Sequence, residues 1–303
     1  MKILGTGLSG LVGSRVVELL SPSFDFTNLS KETGTDITHS ATVYERIVRA
    51  PGQWVFHFAA KTDVDGAEKE RSSKEKSETW NINVTATGTI ARACRNSEKS
   101  LLYISTDYVF DGTKKFYEER AIPNPQGWYA VTKHEGEKKV LELGTSGLII
   151  RIANPYRAIN TDKRDFLHKI QERLHEGLSV TAPNDQMFIP TFIDDIAYAI
   201  KVLTDNKACG IYHVVGSQCL TPYEAARKIA RTFGYPASLV SQTSFKNFFA
   251  GRAPRPFYAC LKNDKIGELG IRMHTLDEGL REIVGDAGQE LLHTKLTERE
   301  SNV

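Results

Sequence analysis

The sequence predicts an α/β protein: a doubly wound parallel sheet followed by a smaller C-terminal α/β lobe. Three observations carry this. Short apolar runs alternate with helically spaced apolar stretches through the first half. A glycine-rich turn joins the first run to the first helix. The alternation becomes irregular after Arg151. Strands that alternate with helices build a parallel sheet covered on both faces, because each crossover helix lies across the sheet.

In order, Lys2–Leu4 reads as a strand, and Leu11–Leu20 as a helix with Leu11, Val12, Val16, Leu19 and Leu20 on one stripe. Phe24–Asn28 is a second strand. A helix carrying Val43, Ile47 and Val48, capped by Thr38 or Ser40, stops at Pro51-Gly52. Trp54–Ala59 reads as a buried strand, Trp80–Ala93 as a helix, Leu101–Ser105 as a strand, Tyr129–Leu143 as a helix and Leu148–Ile152 as a strand. Beyond these, helices are expected over Asp165–Glu176, Asp194–Leu203, Pro222–Phe233 and Leu276–Val284, and Gly210–Val215 reads as one more strand of the main sheet. Glu68–Glu78 is a charged loop or helix start, and Thr294–Val303 a polar end that frays.

Composition excludes several classes. At 303 residues the chain fits one large or two modest domains. Forty per cent hydrophobic and 25% charged residues argue against disorder or a coiled coil. Thirty-nine basic against 37 acidic residues, a net charge of +2, argue against a strongly basic nucleic-acid binder. No run approaches the roughly 18 apolar residues of a membrane span. Cys94, Cys209, Cys219 and Cys260 have no metal-ligand spacing and read as reduced thiols. With no signal-peptide pattern at the start, these features lead us to expect a cytoplasmic protein.

The turn Gly7-Leu8-Ser9-Gly10-Leu11-Val12-Gly13 has the chemistry of a pyrophosphate site: its glycines let backbone amides approach at a helix N-terminus, where the dipole favours an anion. Its G-x-x-G-x-x-G spacing differs from the common dinucleotide fingerprint, and a plain strand-to-helix turn is the alternative. The end of the second strand, Thr27-Asn28-Leu29-Ser30-Lys31, holds no carboxylate before Glu32. Neutral and basic groups there suit a ribose 2′-phosphate, so NADPH is the expected cofactor, with NADH as the alternative. Residues 1–152, completed by about 190–216, are read as the dinucleotide-binding domain, and 153–189 with 217–303 as the substrate-binding lobe.

Tyr129 and Lys133 are four apart on one helix face, where an ammonium favours the phenolate and lowers its pKa. The run Tyr103–Gly112 ends a strand, where open α/β sheets bind ligands, and Ser105 or Thr106 can hydrogen-bond a substrate carbonyl there. Taken in order, Gly7–Gly13, Phe58-Ala59-Ala60, Asn83, Ser105–Gly112 and Tyr129–Lys133 resemble the extended short-chain dehydrogenase/reductases, a Rossmann-type family. The string Ser105-Thr106-Asp107-Tyr108-Val109-Phe110-Asp111-Gly112 is similar to the dTDP-4-dehydrorhamnose reductase branch. So are Ala59–Glu68, a close variant of A-A-x-T-x-V-D-x-A-E, Asn184-Asp185-Gln186 with Pro190-Thr191, and Arg255-Pro256 with Leu261. The resemblance covers roughly residues 1–285.

The resemblance implies a reductase of a nucleotide-linked 4-keto-6-deoxysugar. Thr106, Tyr129 and Lys133 take the catalytic positions: Thr106 orients the carbonyl, Tyr129 donates the proton and Lys133 depresses its pKa. Gly7, Ser9, Gly10, Leu11, Val12 and Gly13, with Asp36 and Ile37 at the adenine, Ala59, Ala60 and Thr62, and Tyr129 and Lys133 themselves, are the expected cofactor contacts. Ser105, Asp107, Tyr108, Trp128, Asn154, Gln186 and Arg255 are the expected substrate contacts, Arg255 toward the phosphates. Asp107 is followed by Tyr108, so the Asp-Glu pair of the sugar 4,6-dehydratases is missing; an epimerase is harder to separate. Gly13-Ser14-Arg15-Val16 lacks the first-helix glutamate that some members use to hold magnesium at a dimer contact, so no metal is expected, and a homodimer is left open. Arg151-Ile152-Ala153-Asn154-Pro155-Tyr156 departs from the branch's R-T-S-W-V-Y. The branch also holds non-catalytic NADP-binding subunits that regulate a partner enzyme, and a reductase of another small carbonyl compound is a third reading.

Other residues are set aside. His57 reads as a satisfied core histidine, and His39, His134, His168 and His175 form no metal spacing. Trp54, Trp80 and Trp128 read as packing residues, Trp128 also as a pocket floor. Lys114-Lys115 and Lys138-Lys139 read as solvated, and Asp194-Asp195 as helix caps.

Overall fold

The structure is a computed structural model that describes residues 1–159 and 162–285; the expected frayed end at Thr294–Val303 lies outside the described residues. Strands β1 (Lys2–Thr6), β2 (Asp25–Leu29), β3 (Trp54–His57), β4 (Ser100–Thr106), β5 (Gly147–Ile152) and β9 (Gly210–His213) form a six-stranded sheet in the order β2-β1-β3-β4-β5-β9. Every neighbouring pair in it is parallel. β3 and β5 are buried along their whole length, as strands covered on both faces must be. The order reverses between β1 and β3, which opens a crevice at their carboxyl ends.

One face of the sheet is covered by α1 (Leu11–Leu20) and α8 (Ile193–Asp205), whose Val16, Leu20, Ile196 and Ile200 pack on Ile3, Phe56 and Leu102. The other face is covered by α2 (Ser40–Arg49), α5 (Thr87–Asn96) and α6 (Trp128–Leu141), through Val43, Ile47, Ile90 and Val140. Before α5 come α3 (Val64–Lys69), which runs into the charged stretch, a 3-10 turn over Arg71–Lys76 within it, and α4 (Glu78–Trp80), which Ser77 caps by accepting from the Trp80 amide. The expected single helix over Trp80–Ala93 contains a π-helical turn at Asn81–Ala86. Such turns recur at functional sites.

In the second half, β6 (Pro155–Tyr156) pairs with β8 (Thr191–Phe192), and β7 (Val180–Pro183) pairs with β10 (Val240–Thr243). α7 (Phe166–His175), α9 (Pro222–Thr232) and a helix over 276–285 enclose a separate apolar cluster of Tyr156, Leu167, Phe192, Ile229, Leu276 and Leu280. Among the described residues no helix is long and apolar enough to cross a membrane.

Three expectations are corrected here. Neither Thr38 nor Ser40 caps α2: His39 occupies the cap without a side-chain bond, and Thr38 instead donates to Asp36. Asp194 and Asp195 do not cap α8. Asp194 accepts two hydrogen bonds from Arg15 of α1, at 2.8 and 2.6 Å, and Asp195 accepts from the His274 amide and contacts its ring, both at 2.7 Å. Both were drawn away from local amides by partners distant in sequence, Asp194 by Arg15 and Asp195 by His274. Finally, Cys219 and Cys260 are joined as a disulfide rather than left as thiols, because the fold brings their Cα atoms to 5.9 Å across 41 residues. Cys94 and Cys209 are free.

Candidate active site

The glycine turn is built by close approach. Gly7 has φ +68°, and a Cβ there would lie 2.4 Å from the amide nitrogen of Ala59 on the neighbouring loop. A Cβ on Gly13 would lie 2.4 Å from the Gly7 carbonyl oxygen. Only glycine lets β3's exit loop, the turn and α1 pack this tightly. Gly10 caps α1 without a side-chain bond, and the helix has no acid in its first turn. Its first amides therefore point outward without a side-chain partner, the arrangement that receives an anion.

A cavity of about 950 Å³ runs from this turn toward Lys31–Thr38 on one side and Ser105–Tyr108 on the other. It is lined by Gly7, Ser9, Gly10, Leu11, Val12, Gly13, Asp36, Ile37, Ala59, Ala60 and Thr62, and by Thr106, Tyr129, Lys133, Ser105, Asp107, Tyr108 and Asn154. A glycine cradle, bare helix amides and this volume fit a dinucleotide. Asp36 is held by the Thr38 amide and hydroxyl, at 2.9 and 2.8 Å, and pairs with Lys31 at 3.2 Å. Those bonds hold its carboxyl down at about 2. Asn154 adopts φ +41°, a conformation that asparagine tolerates better than most residues and that clusters at functional sites.

At the reacting end, Thr106 closes β4, and its hydroxyl donates to Asp107 Oδ1 (3.0 Å) while accepting from the Tyr108 amide (3.3 Å). The same hydroxyl lies against the phenol of Tyr129. Tyr129 stands in the first turn of α6, and the Tyr108 ring meets it edge-on at 6.1 Å. Glu68 of α3 anchors that turn by accepting from the Trp128 amide at 2.7 Å. Lys133, one turn on, is buried, donates to the Ile104 carbonyl at 2.7 Å and lies 3.9 Å over the Tyr103 ring. Asn83, in the π-helical turn, ties the site together. It bonds both the amide (2.9 Å) and the carbonyl (3.1 Å) of Lys61 and donates to Thr132 of α6 at 3.0 Å.

Burial dominates the electrostatics. It pushes the Tyr129 phenol above its ordinary range, against the Thr106 hydrogen bond, so the expected lowering by Lys133 does not prevail in this arrangement. Burial also lowers Lys133 to about 7, against the attraction of Glu137, and raises Asp107 to about 7. His57 is a satisfied core residue as expected. Its ring nitrogens bond Thr6 at 2.7 Å and Thr87 at 2.9 Å, and burial lowers it to about 3.

Three expected substrate residues do not line the cavity. Trp128 stacks on Trp80 at 5.8 Å and donates to Ser77. Gln186 donates to the Pro256 carbonyl at 3.2 Å. Arg255 is paired with Asp65 at 2.9 Å and donates to the Ala253 carbonyl at 2.7 Å, so its guanidinium is committed within the protein and meets the site only through Tyr108. Conversely, Lys163 and Arg164 line the cavity, and Lys163 donates to the Ser9 carbonyl at 3.1 Å. No local pattern marks two cations in an irregular segment as neighbours of a loop more than 150 residues earlier. Among the described residues no group of His, Cys, Asp and Glu could hold a metal ion.

Comparison with known proteins agrees with this geometry. The chain matches the RmlD substrate binding domain over residues 1–288. It is 32% identical to a probable low-salt glycan biosynthesis reductase, Agl14, of Haloferax volcanii, over 91% of this chain and 94% of that one. It is 28% identical to the beta subunit of methionine adenosyltransferase 2 of Bos taurus, over 90% and 84%. Among solved structures it is similar to a dTDP-4-dehydrorhamnose reductase from Bacillus anthracis in complex with NADP, with a TM-score of 0.85 and 28% identity, covering 94% of this chain and 99% of that one. The chain belongs to the RmlD substrate binding domain family of extended short-chain dehydrogenase/reductases, and with it to the NAD(P)H-dependent oxidoreductases.

Proposed function

We propose that the protein uses NADPH to reduce the C4 keto group of a nucleotide-linked 4-keto-6-deoxysugar. The observation that carries this is the convergence of Thr106, Tyr129 and Lys133 on one end of a cavity whose other wall is the glycine cradle. Gly7–Gly13, Asp36, Ile37, Ala59, Ala60 and Thr62 would hold the dinucleotide. Ser30, Lys31, Lys163 and Arg164 in the lining support a 2′-phosphate, and thus NADPH over NADH. When bound, the reduced nicotinamide supplies hydride to the carbonyl carbon.

The chain's own residues handle the proton. The Thr106 hydroxyl orients the carbonyl oxygen beside the Tyr129 phenol. Because burial raises that phenol, it is protonated throughout the neutral range and available to donate. Donation leaves a buried phenolate one helical turn from Lys133, whose ammonium offsets the new charge. Asn83 holds α6 and the loop after β3 in register, so that Tyr129 and Lys133 keep their places. Ser105, Asp107, Tyr108 and Asn154 line the space for the sugar.

Purified protein mixed with NADPH and dTDP-4-dehydrorhamnose tests the reading through loss of nicotinamide absorbance. Turnover supports it, whereas NADPH binding without turnover sinks this substrate. The likeness to the methionine adenosyltransferase subunit favours a second reading, a non-catalytic NADP-binding regulatory subunit. Tight NADPH binding without oxidation by any keto-sugar is its signature.

A further inference from the structure

Beneath Lys133 runs a buried chain of charged and polar groups that the proposed reaction does not use. Glu137 follows one turn along α6, on the same helix face, with no exposed surface. Its two carboxylate oxygens accept from Nε and Nη2 of Arg151 on β5, both at 2.8 Å. Arg151 is only 1% exposed, lies 5.0 Å over the Phe110 ring, and places Nη1 3.4 Å from Nε2 of His213 on β9. His213 Nδ1 meets the Lys262 carbonyl at 3.1 Å, so Nδ1 carries the proton and Nε2 presents a lone pair to Arg151.

A fully buried ion pair is poor stabilisation, since desolvation consumes most of its attraction and apolar replacements are often as stable. A reason for its presence lies in its neighbour. Lys133 has no hydrogen-bonded carboxylate of its own, only the Ile104 carbonyl and the Tyr103 ring. The groups facing it are His57 of β3, Tyr103 of β4 and Glu137 of α6, with Tyr129 one turn earlier on the same helix; His57 is neutral, and Glu137 is the anion among them. The groups facing Glu137 are His134, Ser105, Tyr103, Lys133, His213 and Arg151, and Arg151 is the cation hydrogen-bonded to both its oxygens and keeps it ionised.

We propose that Glu137 is a positioning residue whose buried carboxylate, held by Arg151, keeps Lys133 a charged ammonium one helical turn from Tyr129. This rests on the reductase reading, in which Lys133 must be a cation when Tyr129 gives up its proton. Burial leaves Lys133 near neutrality, so the loss of one anion decides its state.

The test is a titration of Lys133 by ¹³Cε-lysine NMR on the protein without ligands, its resonance assigned through its disappearance in Lys133→Met. Glu137→Gln keeps shape and hydrogen bonding but removes the charge; Glu137→Asp keeps the charge but shortens the side chain. Lys133 is expected to titrate about one pH unit lower in the Gln variant and close to wild type in the Asp variant. The basic limb of the NADPH-dependent rate moves in the same way. A merely structural role predicts the reverse order, with Gln milder than Asp. Should Glu137→Gln fail to fold beside an unpaired Arg151, Glu137→Gln with Arg151→Gln removes both charges, and a smaller shift in the same downward direction is expected, because loss of the more distant cation offsets part of it. An unchanged Lys133 titration in a folded Gln variant overturns the proposal. If the wild type oxidises no NADPH, the reductase reading fails while the NMR titration still decides the role of Glu137.

Discussion

Gly13→Ala isolates what the glycine cradle does. Gly13 is helical, so alanine there is conformationally favourable and would gain about 1 kcal/mol of helix propensity. Space opposes it: the new Cβ would lie 2.4 Å from the Gly7 carbonyl oxygen and 2.8 Å from Leu8 Cα, both backbone atoms that cannot rotate away. Reaching an ordinary contact of roughly 3.5 Å requires the turn and α1 to separate by about 1 Å. Overpacking of this kind costs about 1–3 kcal/mol, so against that gain net stability falls by about 0–2 kcal/mol. Binding does not escape, because the separation falls on the uncapped α1 amides, which we propose face the pyrophosphate. Losing one charge-assisted hydrogen bond, about 1.5–3 kcal/mol, weakens NADPH binding roughly tenfold to a hundredfold. The matched control is Gly88→Ala in α5, where the new Cβ meets only the flexible Lys139 side chain at 3.6 Å. That variant is expected to gain about 1 kcal/mol with unchanged binding. NADPH titration by nicotinamide fluorescence, with thermal melts of both variants, measures the pair. Gly13→Ala binding NADPH as tightly as wild type would refute the argument.

Further expectations follow from the same geometry. Tyr129→Phe removes only the proton donor, so kcat should fall by about 10²–10⁴ while NADPH affinity holds in direct titration; a loss in both would make Tyr129 a binding residue instead. Asp107 should make the protein less stable as pH rises. Its folded value near 7 exceeds the ordinary 3.8, so the unfolded chain releases its proton first. The penalty accumulates between those values to about 4 kcal/mol and is constant above them. Asp107→Asn should therefore raise Tm at pH 8 but hardly at pH 4, and equal gains at both would contradict the burial argument. The Cys219–Cys260 bond closes a loop across 41 residues. Chain entropy sets its worth at up to about 4 kcal/mol, so a reductant should lower Tm, and thiol counting should find two of the four cysteines protected.

Much of this protein was legible along the chain because the relevant signals are local. The alternation of strand and helix, the glycine turn after β1, and Tyr129 with Lys133 on one helix face are encoded within a few residues. Their backbone consequences are dictated by sterics and periodicity. The placing of the segments after β3 and β4 at one side of the sheet came with them, since a parallel sheet delivers its carboxyl ends to one side. Element boundaries slipped where local preference competed with the tertiary frame: β3 stops at His57 so that the loop from Phe58 can line the cavity, and a π-helical turn replaces regular helix at Asn83.

What sequence could not decide is where side chains go once distant segments meet. Arg255 was expected to reach a phosphate but found Asp65, and Trp128 found Trp80. Asp194 found Arg15, Cys219 found Cys260, and Lys163 arrived at Ser9. Charge directions changed for the same reason. A lysine beside a tyrosine predicts a lowered phenol, but only the packed interior shows that both are desolvated, and desolvation outweighs the neighbour. Chain spacing determined which groups could meet a dinucleotide and a carbonyl. Burial and non-local pairing, which leave no periodicity in a sequence, decided which of them line the cavity and which are committed elsewhere.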